Sequence, residues 1–277
     1  MRADVPHGLR RVGRYSLLAL VSAVVLFPIW AVLMQAFKSG PDALNHPESL
    51  LPTNLTLDTV RAAWTEGELG RALFNSVVVA VVVTICVMLV SLLSAFAFSF
   101  LQFPGKGVVF VAFVATMLVP AEVTVVVNRR TVESWGWLNS YQGLIIPSLA
   151  STFGMLLLRQ MFLQLPKELR EAASLDGVGN MRFLWEVAAP LSRPTLGALG
   201  LFTFLGTWNA YLWPSQIIKD RDHRTIQIAL EGLSGAQINR FNLVTGGLVI
   251  ASLPIFAMLV VFQRQLVRGL TAGAVKG

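Results

Sequence analysis

The sequence predicts an all-α integral membrane protein with six transmembrane helices and both termini on the cytoplasmic side. Three observations carry that expectation. Of the 277 residues, 55% are apolar and only 13% charged, where a soluble domain carries about a quarter charged. The apolar residues come in blocks of roughly 17 or more, close to the length a bilayer crossing needs. The basic residues between those blocks are unequally shared by the two sides they define.

Composition also removes several function classes. The lone Cys86 lies inside an apolar block, which excludes a disulfide scaffold or a cysteine-rich metal site, and His7, His46 and His223 are too scattered for a metal centre. The formal charge of +7 sits between apolar blocks and forms no stripe with interleaved aromatics, so it speaks for membrane orientation and against nucleic acid.

The first span is Tyr15 to Phe37, preceded by Arg2, Arg10, Arg11 and Arg14 in a short N-terminal segment, 1–14. A basic leader also marks a secretory signal, but this run is longer than a signal's apolar core and no small-residue cleavage site follows it, so a retained helix is expected. An external loop, 38–72, leads to a core at 73–262. Its spans are Leu73 to Leu101, Val108 to Val127 with Pro120 inside, Gly143 to Leu158, Thr195 to Ile218 and Leu243 to Phe262. The tail, 263–277, follows. Proline and glycine within spans are tolerated where packed neighbours satisfy the loosened backbone.

Orientation follows from charge. The side holding the N-terminus, the Lys106 turn, the segment Arg159 to Arg193 and the C-terminus has 13 of the 22 basic residues and only five of the 15 acidic ones. That side is cytoplasmic by the positive-inside rule. The outer connections are then Lys38 to Ala72, Asn128 to Gln142 and Lys219 to Asn242.

The inner segment 166–194 is neither polar linker nor apolar span. Pro166 suits a helix start, Glu168 sits at its positive end, and Gly177 can take the left-handed conformation that closes it. Leu169, Ala172, Ala173 and Leu175 then group on one side of a short helix, with Lys167, Arg170 and Ser174 elsewhere. Asn180 is expected to cap a second helix containing Phe183, Leu184 and Val187, which Pro190 breaks. Two readings stay open on these residues alone: a folded loop that packs on its own protein, or a docking element with small residues where a partner approaches.

Glu171-Ala172-Ala173, Asp176-Gly177, Pro190 and Pro194 resemble the EAA loop of the membrane subunits of bacterial ATP-binding-cassette importers. Trp208 to Pro214, around Asn209, is similar to a motif early in the fifth span of carbohydrate permeases. The ending Gln263 to Gly277 resembles the tail of maltose and glycerol-3-phosphate permease subunits. Many relatives carry an acidic residue where this chain has Ala210. The likeness covers nearly the whole chain and identifies it as similar to the second permease subunit of binding-protein-dependent carbohydrate importers, with the type I importer permease fold.

The resemblance implies a cell inner membrane location, two cytoplasmic ATPase subunits, a second permease subunit in a heterodimer and an external solute-binding protein. It implies that Glu171, Ala172, Ala173, Asp176 and Gly177 couple to the ATPase, whose closure would tilt spans four and five. It also implies a sugar or glycerol-3-phosphate-like solute. The tail from Leu270 either reaches the ATPase interface or is a loose cationic terminus.

This chain is expected to bind no cofactor, ATP and magnesium belonging to the partner ATPase. Pro104-Gly105-Lys106-Gly107 lacks the spaced first glycine and the Ser or Thr of a phosphate-binding loop and reads as a turn. No Gly-x-Ser-x-Gly elbow or HExxH pair occurs.

Polar groups in spans are costly and so are pathway candidates. They are Asn75, Glu122, Trp208, Asn209 and Tyr211, with Thr84, Ser91 and Ser94 as further hydrogen-bonding groups. Glu122 either faces a cavity or meets water at the outer interface. Trp213 reads as an interfacial aromatic, Gly197, Gly200, Gly246 and Gly247 as helix-packing positions, and Arg129-Arg130 as a solvated pair. The outer loop 219–242, with Gln237 and Asn239, corresponds in position to one that in relatives probes the binding protein's cleft. The alternative class, a secondary transporter or intramembrane enzyme, would need several ionisable residues at mid-span or a nucleophile facing a base. This chain offers one glutamate and no histidine in any span.

Overall fold

The computed structural model describes residues 7–46, 48–235 and 241–274, and no strand occurs among them. The helices are α1 (His7–Ala36), α2 (Gly40–Asn45), α3 (Asp58–Glu66), α4 (Leu69–Phe100), α5 (Lys106–Ala115), α6 (Ala121–Ser134), α7 (Tyr141–Ile145), α8 (Thr152–Leu163), α9 (Lys167–Leu175), α10 (Asn180–Phe183), α11 (Ala189–Leu191), α12 (Arg193–Trp208), α13 (Leu212–Ile217), α14 (Ile226–Gly235) and α15 (Phe241–Ala274). Short 3-10 turns, Thr116–Leu118 and Ile146–Ser148, extend α5 and α7, and Leu184–Ala188 winds as a π-helix between α10 and α11.

Three helices are long and apolar enough to cross a membrane as single rods: Gly13–Ala36, Leu69–Phe100 and Asn242–Val260. They correspond to the first, second and sixth spans read from the sequence. Two bent pairs bring the number to as many as five among the described residues: Lys106–Leu118 with Glu122–Ser134, bent by 106°, and Tyr141–Ser148 with Thr152–Leu163, bent by 42°. The third span is therefore not the continuous run 108–127. Val119 is extended (ψ 118°) ahead of Pro120, as the steric demand of a proline on its predecessor requires, and the chain turns there.

The fifth span, 195–218, is not one rod either. α12 has 16 residues and ends at Trp208, short of the roughly 20 needed to cross. Pro214 explains the break: it cannot donate to the Ala210 carbonyl, and its ring would crowd that oxygen. The helix restarts at Leu212 with Pro214 in its first turn, where no N–H is needed. Asn209 caps the interrupted end, its side-chain amide donating back to the Leu205 carbonyl at 2.9 Å.

The chain divides into two compact units, Met1–Leu69 with Ala229–Leu253 and Gly70–Ile228 with Pro254–Gly277. In the first, the α1 side chains from residue 13 to residue 30, Gly13 to Trp30, are exposed, an apolar surface suited to lipid. Beyond α1 the loop folds on a fully buried Lys38. Its ammonium donates to the His46 carbonyl at 3.0 Å and to the Ser49 carbonyl, and its own carbonyl accepts from Thr59 Oγ1 at 2.5 Å. Gly246 and Gly247 allow close approach here: a Cβ on Gly246 would lie 3.0 Å from the Thr59 carbonyl, and one on Gly247 would collide with Leu230.

In the second unit α4 is the spine. Its first half joins Val79, Val83 and Val87 to Val132, Leu144, Ile217 and Ile218. Its last turns join Phe96 and Phe98 to Met155, Leu158 and Phe162 of α8, Ala173 of α9, and Phe183, Leu184 and Ala188. Gly154 lets α8 close on α4, since an added Cβ would collide with Ser91 Oγ, and Gly200 lies near Met88. Gly197, expected at a packing contact, has open space beside it.

Candidate functional site

The first functional region is the segment 166–194. α9 starts after extended Pro166 and ends in a left-handed Gly177 (φ +70°). The Val178 N–H reaches back to the Ala173 carbonyl at 2.8 Å and the Gly177 N–H to the Ser174 carbonyl at 3.1 Å. These paired bonds form the terminating motif that a glycine with positive φ permits.

Of the four apolar residues expected to share a face, only Ala173 is buried; Leu169 is 39% and Leu175 89% exposed. The other inward contact is polar. Arg170 lies with its guanidinium carbon 4.9 Å from the Phe183 ring centroid and donates to Asn180 Oδ1. Asn180 is thus an anchor and not the expected cap, a place taken by Gly179.

Phe183 in turn meets Phe96 (6.4 Å) and Phe100 (5.5 Å, edge-on), and both of those meet Phe162. The four rings tie α9 and α10 to the end of α4 and to α8. Glu168, Glu171, Ala172, Leu175, Asp176 and Gly177 remain exposed on the outer surface of this anchored unit.

Pro190 does not end the second helix. The Ala189 N–H reaches back five residues to the Leu184 carbonyl, so the turn widens ahead of the proline and the chain continues through Leu191. Ser192, fully buried, gives its hydroxyl to the Ala188 carbonyl at 2.8 Å. Pro194 follows in the first turn of α12. The segment is thereby continuous with the helix that bears Trp208.

The second region lies at the other end of α4. A cavity of about 200 Å³ is lined by Ser76, Val79, Leu144, Ser148, Gly206, Thr207, Ala210, Trp213, Pro214 and Thr225. A second, of about 300 Å³, shares Ser148, Gly206 and Thr207 with it and adds Thr203 and Phe202 among others. Trp213, expected at a membrane interface, donates its indole N–H to the Gly143 carbonyl at 3.2 Å and forms part of the wall.

None of the five expected pathway residues lines either cavity. Asn75 is buried, with its amide donating to the Asp222 and Arg224 carbonyls (2.8 and 2.9 Å) and its oxygen accepting from the Tyr141 hydroxyl at 2.7 Å. It clamps the 219–225 stretch of the outer loop. Asn139, at φ +54°, accepts there from the Lys219 and Asp220 N–H groups, and the Ile226 N–H donates to Ser76 Oγ at 2.7 Å.

Trp208 is buried and stacked on Phe204, Asn209 caps α12, and Tyr211 is 43% exposed. Glu122 is exposed in the first turn of α6, just past the bend. Gln237 and Asn239 lie outside the described residues, as do 275–277; the tail otherwise continues α15 to Ala274. Phe96 and Phe100, one turn apart in α4, are the sequence signal from which the anchoring cluster could have been found. Nothing in the sequence pointed to Phe183 as its partner or to Thr225 in the cavity wall.

Residues 16–271 match the family model described as binding-protein-dependent transport system inner membrane component. The chain belongs to that family. It is 34% identical over 264 residues to the sn-glycerol-3-phosphate transport system permease protein UgpE of Escherichia coli O1:K1, covering 92% of this chain and 94% of that one. The protein of the same name from Yersinia enterocolitica serotype O:8 is 34% identical over 256 residues, 89% and 91% of the two chains.

Among solved structures, a chain of a bacterial ABC transporter involved in the import of the acidic polysaccharide alginate superposes with a TM-score of 0.82 at 20% identity, over 95% of this chain and 98% of that one. The fold is that of a type I ABC importer permease. As a member of this permease family the chain is a transport subunit of an inner-membrane system and not an enzyme. The secondary-transporter and intramembrane-enzyme alternative is not favoured.

Proposed function

We propose that this permease carries a sugar or glycerol-3-phosphate-like solute inward, and that ATP hydrolysis on a partner chain drives it through α9. The observation that carries this is the outer surface of the anchored segment. Glu168, Glu171, Ala172 and Leu175 are all exposed on a helix whose opposite side is fixed by Ala173 and Arg170. An isolated apolar side chain as bare as Leu175, flanked by two carboxylates on a short rigid helix, suits insertion into a cleft of another protein. The small Ala172 lets the backbone approach.

In this reading both termini are cytoplasmic, which the charge asymmetry supports, and the chain crosses six times, α12 with α13 counting as the broken fifth crossing. The core is 73–262, with 1–14 and 263–277 inside and 38–72 outside. The assembly contains two ATPase subunits that hold ATP and magnesium, a second and different permease subunit, and an external binding protein. The UgpE relatives, named for sn-glycerol-3-phosphate, support a small polyol-type solute.

Phe183 is packed against Phe96 and Phe100, and α9 is joined to it through Ala173 and Arg170; in this reading the segment is a lever, and a displacement of α9 is carried to the spans because a close-packed core is stiff. The test is Glu171→Lys in the assembled transporter. Insertion should be unchanged, while binding-protein-stimulated ATP hydrolysis and solute uptake are lost together. Normal uptake in that variant contradicts the docking role.

A further inference from the structure

We propose that the smaller cavity, walled by α4, α7, α12 and α13, is a station for one neutral polyhydroxylated unit, a single sugar ring or a short linear polyol, and that it does not receive a phosphate. This rests on the permease reading above and selects, of the two solute classes named there, the neutral sugar or polyol over the phosphate ester.

Size comes first. About 200 Å³ is roughly the space of seven liquid water molecules, enough for one ring. The charge of the wall comes second. No ionisable side chain lines the cavity, so a phosphate entering it would give up hydration with no cation or charge-assisted donor in exchange.

The wall instead offers hydroxyls and one indole. Thr225 is 5% exposed, and its Oγ1 has no hydrogen-bond partner. A buried hydroxyl in that state is costly, and a solute hydroxyl or the water it replaces would satisfy it. Ser76, 4% exposed, accepts the Ile226 N–H and keeps its own proton to donate. Trp213 is held in place by its bond to the Gly143 carbonyl, a fixed apolar surface of the kind that takes the C–H face of a sugar. Ala210 contributes only a methyl group and leaves the wall uncharged. Thr207, with Ser148 and Gly206, also lines the adjoining 300 Å³ pocket.

The test uses the whole transporter purified through this chain, in a Cys86→Ser background carrying Thr225→Cys. Labelling by N-ethylmaleimide is timed in the nucleotide-free and vanadate-trapped states, with excess glycerol, xylitol, glucose or sn-glycerol 3-phosphate. The expected result is labelling in at least one state, slowed several-fold by one or more of the neutral compounds and left unchanged by the phosphate ester. Absence of labelling in both states, absence of protection by every neutral probe, or equal protection by the phosphate ester overturns the proposal.

A second variant, Ala210→Trp, fills the cavity and should abolish uptake while ATP hydrolysis persists; unchanged uptake also overturns it. Failure of the importer reading is seen separately, as normal uptake in Glu171→Lys.

Discussion

The Arg170 guanidinium lies over the Phe183 ring, 4.9 Å from its centroid, and the same group donates to Asn180. One side chain thus joins the two short helices of the segment 166–194. Phe183 is 1% exposed, and replacing it by alanine should cost about 3–5 kcal/mol, read as a lowered melting temperature of the purified assembly. Arg170→Ala should cost less, about 1 kcal/mol, yet lower the solute moved per ATP hydrolysed. An Arg170→Ala transporter with wild-type coupling would show that the anchor is dispensable.

Asn75→Leu should free the outer loop. The change removes the partner of the Asp222 and Arg224 carbonyls and of the Tyr141 hydroxyl, a loss of about 0.5–1.5 kcal/mol per hydrogen bond. Hydrogen exchange across 219–225 should rise while exchange in the Phe96 region stays the same. Uniform loosening of the whole unit would contradict a local clamp.

Lys38→Met keeps an unbranched side chain one atom shorter and removes its charge. The His46 and Ser49 carbonyls then lose their donor, which should destabilise the 38–59 loop by about 1–3 kcal/mol. Limited proteolysis of that loop should accelerate, with membrane insertion unaffected.

The same loop should be acid-sensitive. Hydrogen bonds from the Thr53 hydroxyl (2.6 Å) and N–H (2.9 Å) hold the Asp42 carboxyl below its ordinary value of 3.8. A depressed carboxyl stabilises the fold fully above its unfolded pKa, and that contribution disappears as pH falls through the folded pKa. Exchange in residues 42–53 should therefore increase only below the ordinary carboxylate range. Thr53→Val should reduce this acid dependence, and a profile identical to wild type would count against the pairing.

The sequence made α9 legible because its start and stop are local: Pro166, Glu168 and Gly177 act within one turn of themselves, and the structure has them at those positions. Which side of α9 faces inward was not local. It depends on Phe183, Phe96 and Phe162, brought together from three helices, so Leu169 and Leu175, grouped with Ala173 on one side in the sequence, are exposed while Ala173 is buried. Pro190 read as a breaker because a proline forbids the ordinary turn, whereas a widened turn ahead of it absorbs the missing donor. Asn75 read as a pathway group because polar residues in spans are costly; its partners, Asp222 and Arg224, lie about 150 residues away. The breaks ahead of Pro120 and Pro214 are visible as residues, but a proline within a span is also compatible with a continuous rod whose neighbours satisfy the loosened backbone.

The most direct measurement of the lever is a photo-crosslinking amino acid placed in turn at Leu175, at Ala172 and at Phe183 in the membrane-embedded transporter. The account predicts adducts with the ATPase subunit from positions 175 and 172, and adducts only within this chain from 183. Crosslinks from 175 and 172 to lipid, or to proteins on the external face, would contradict it.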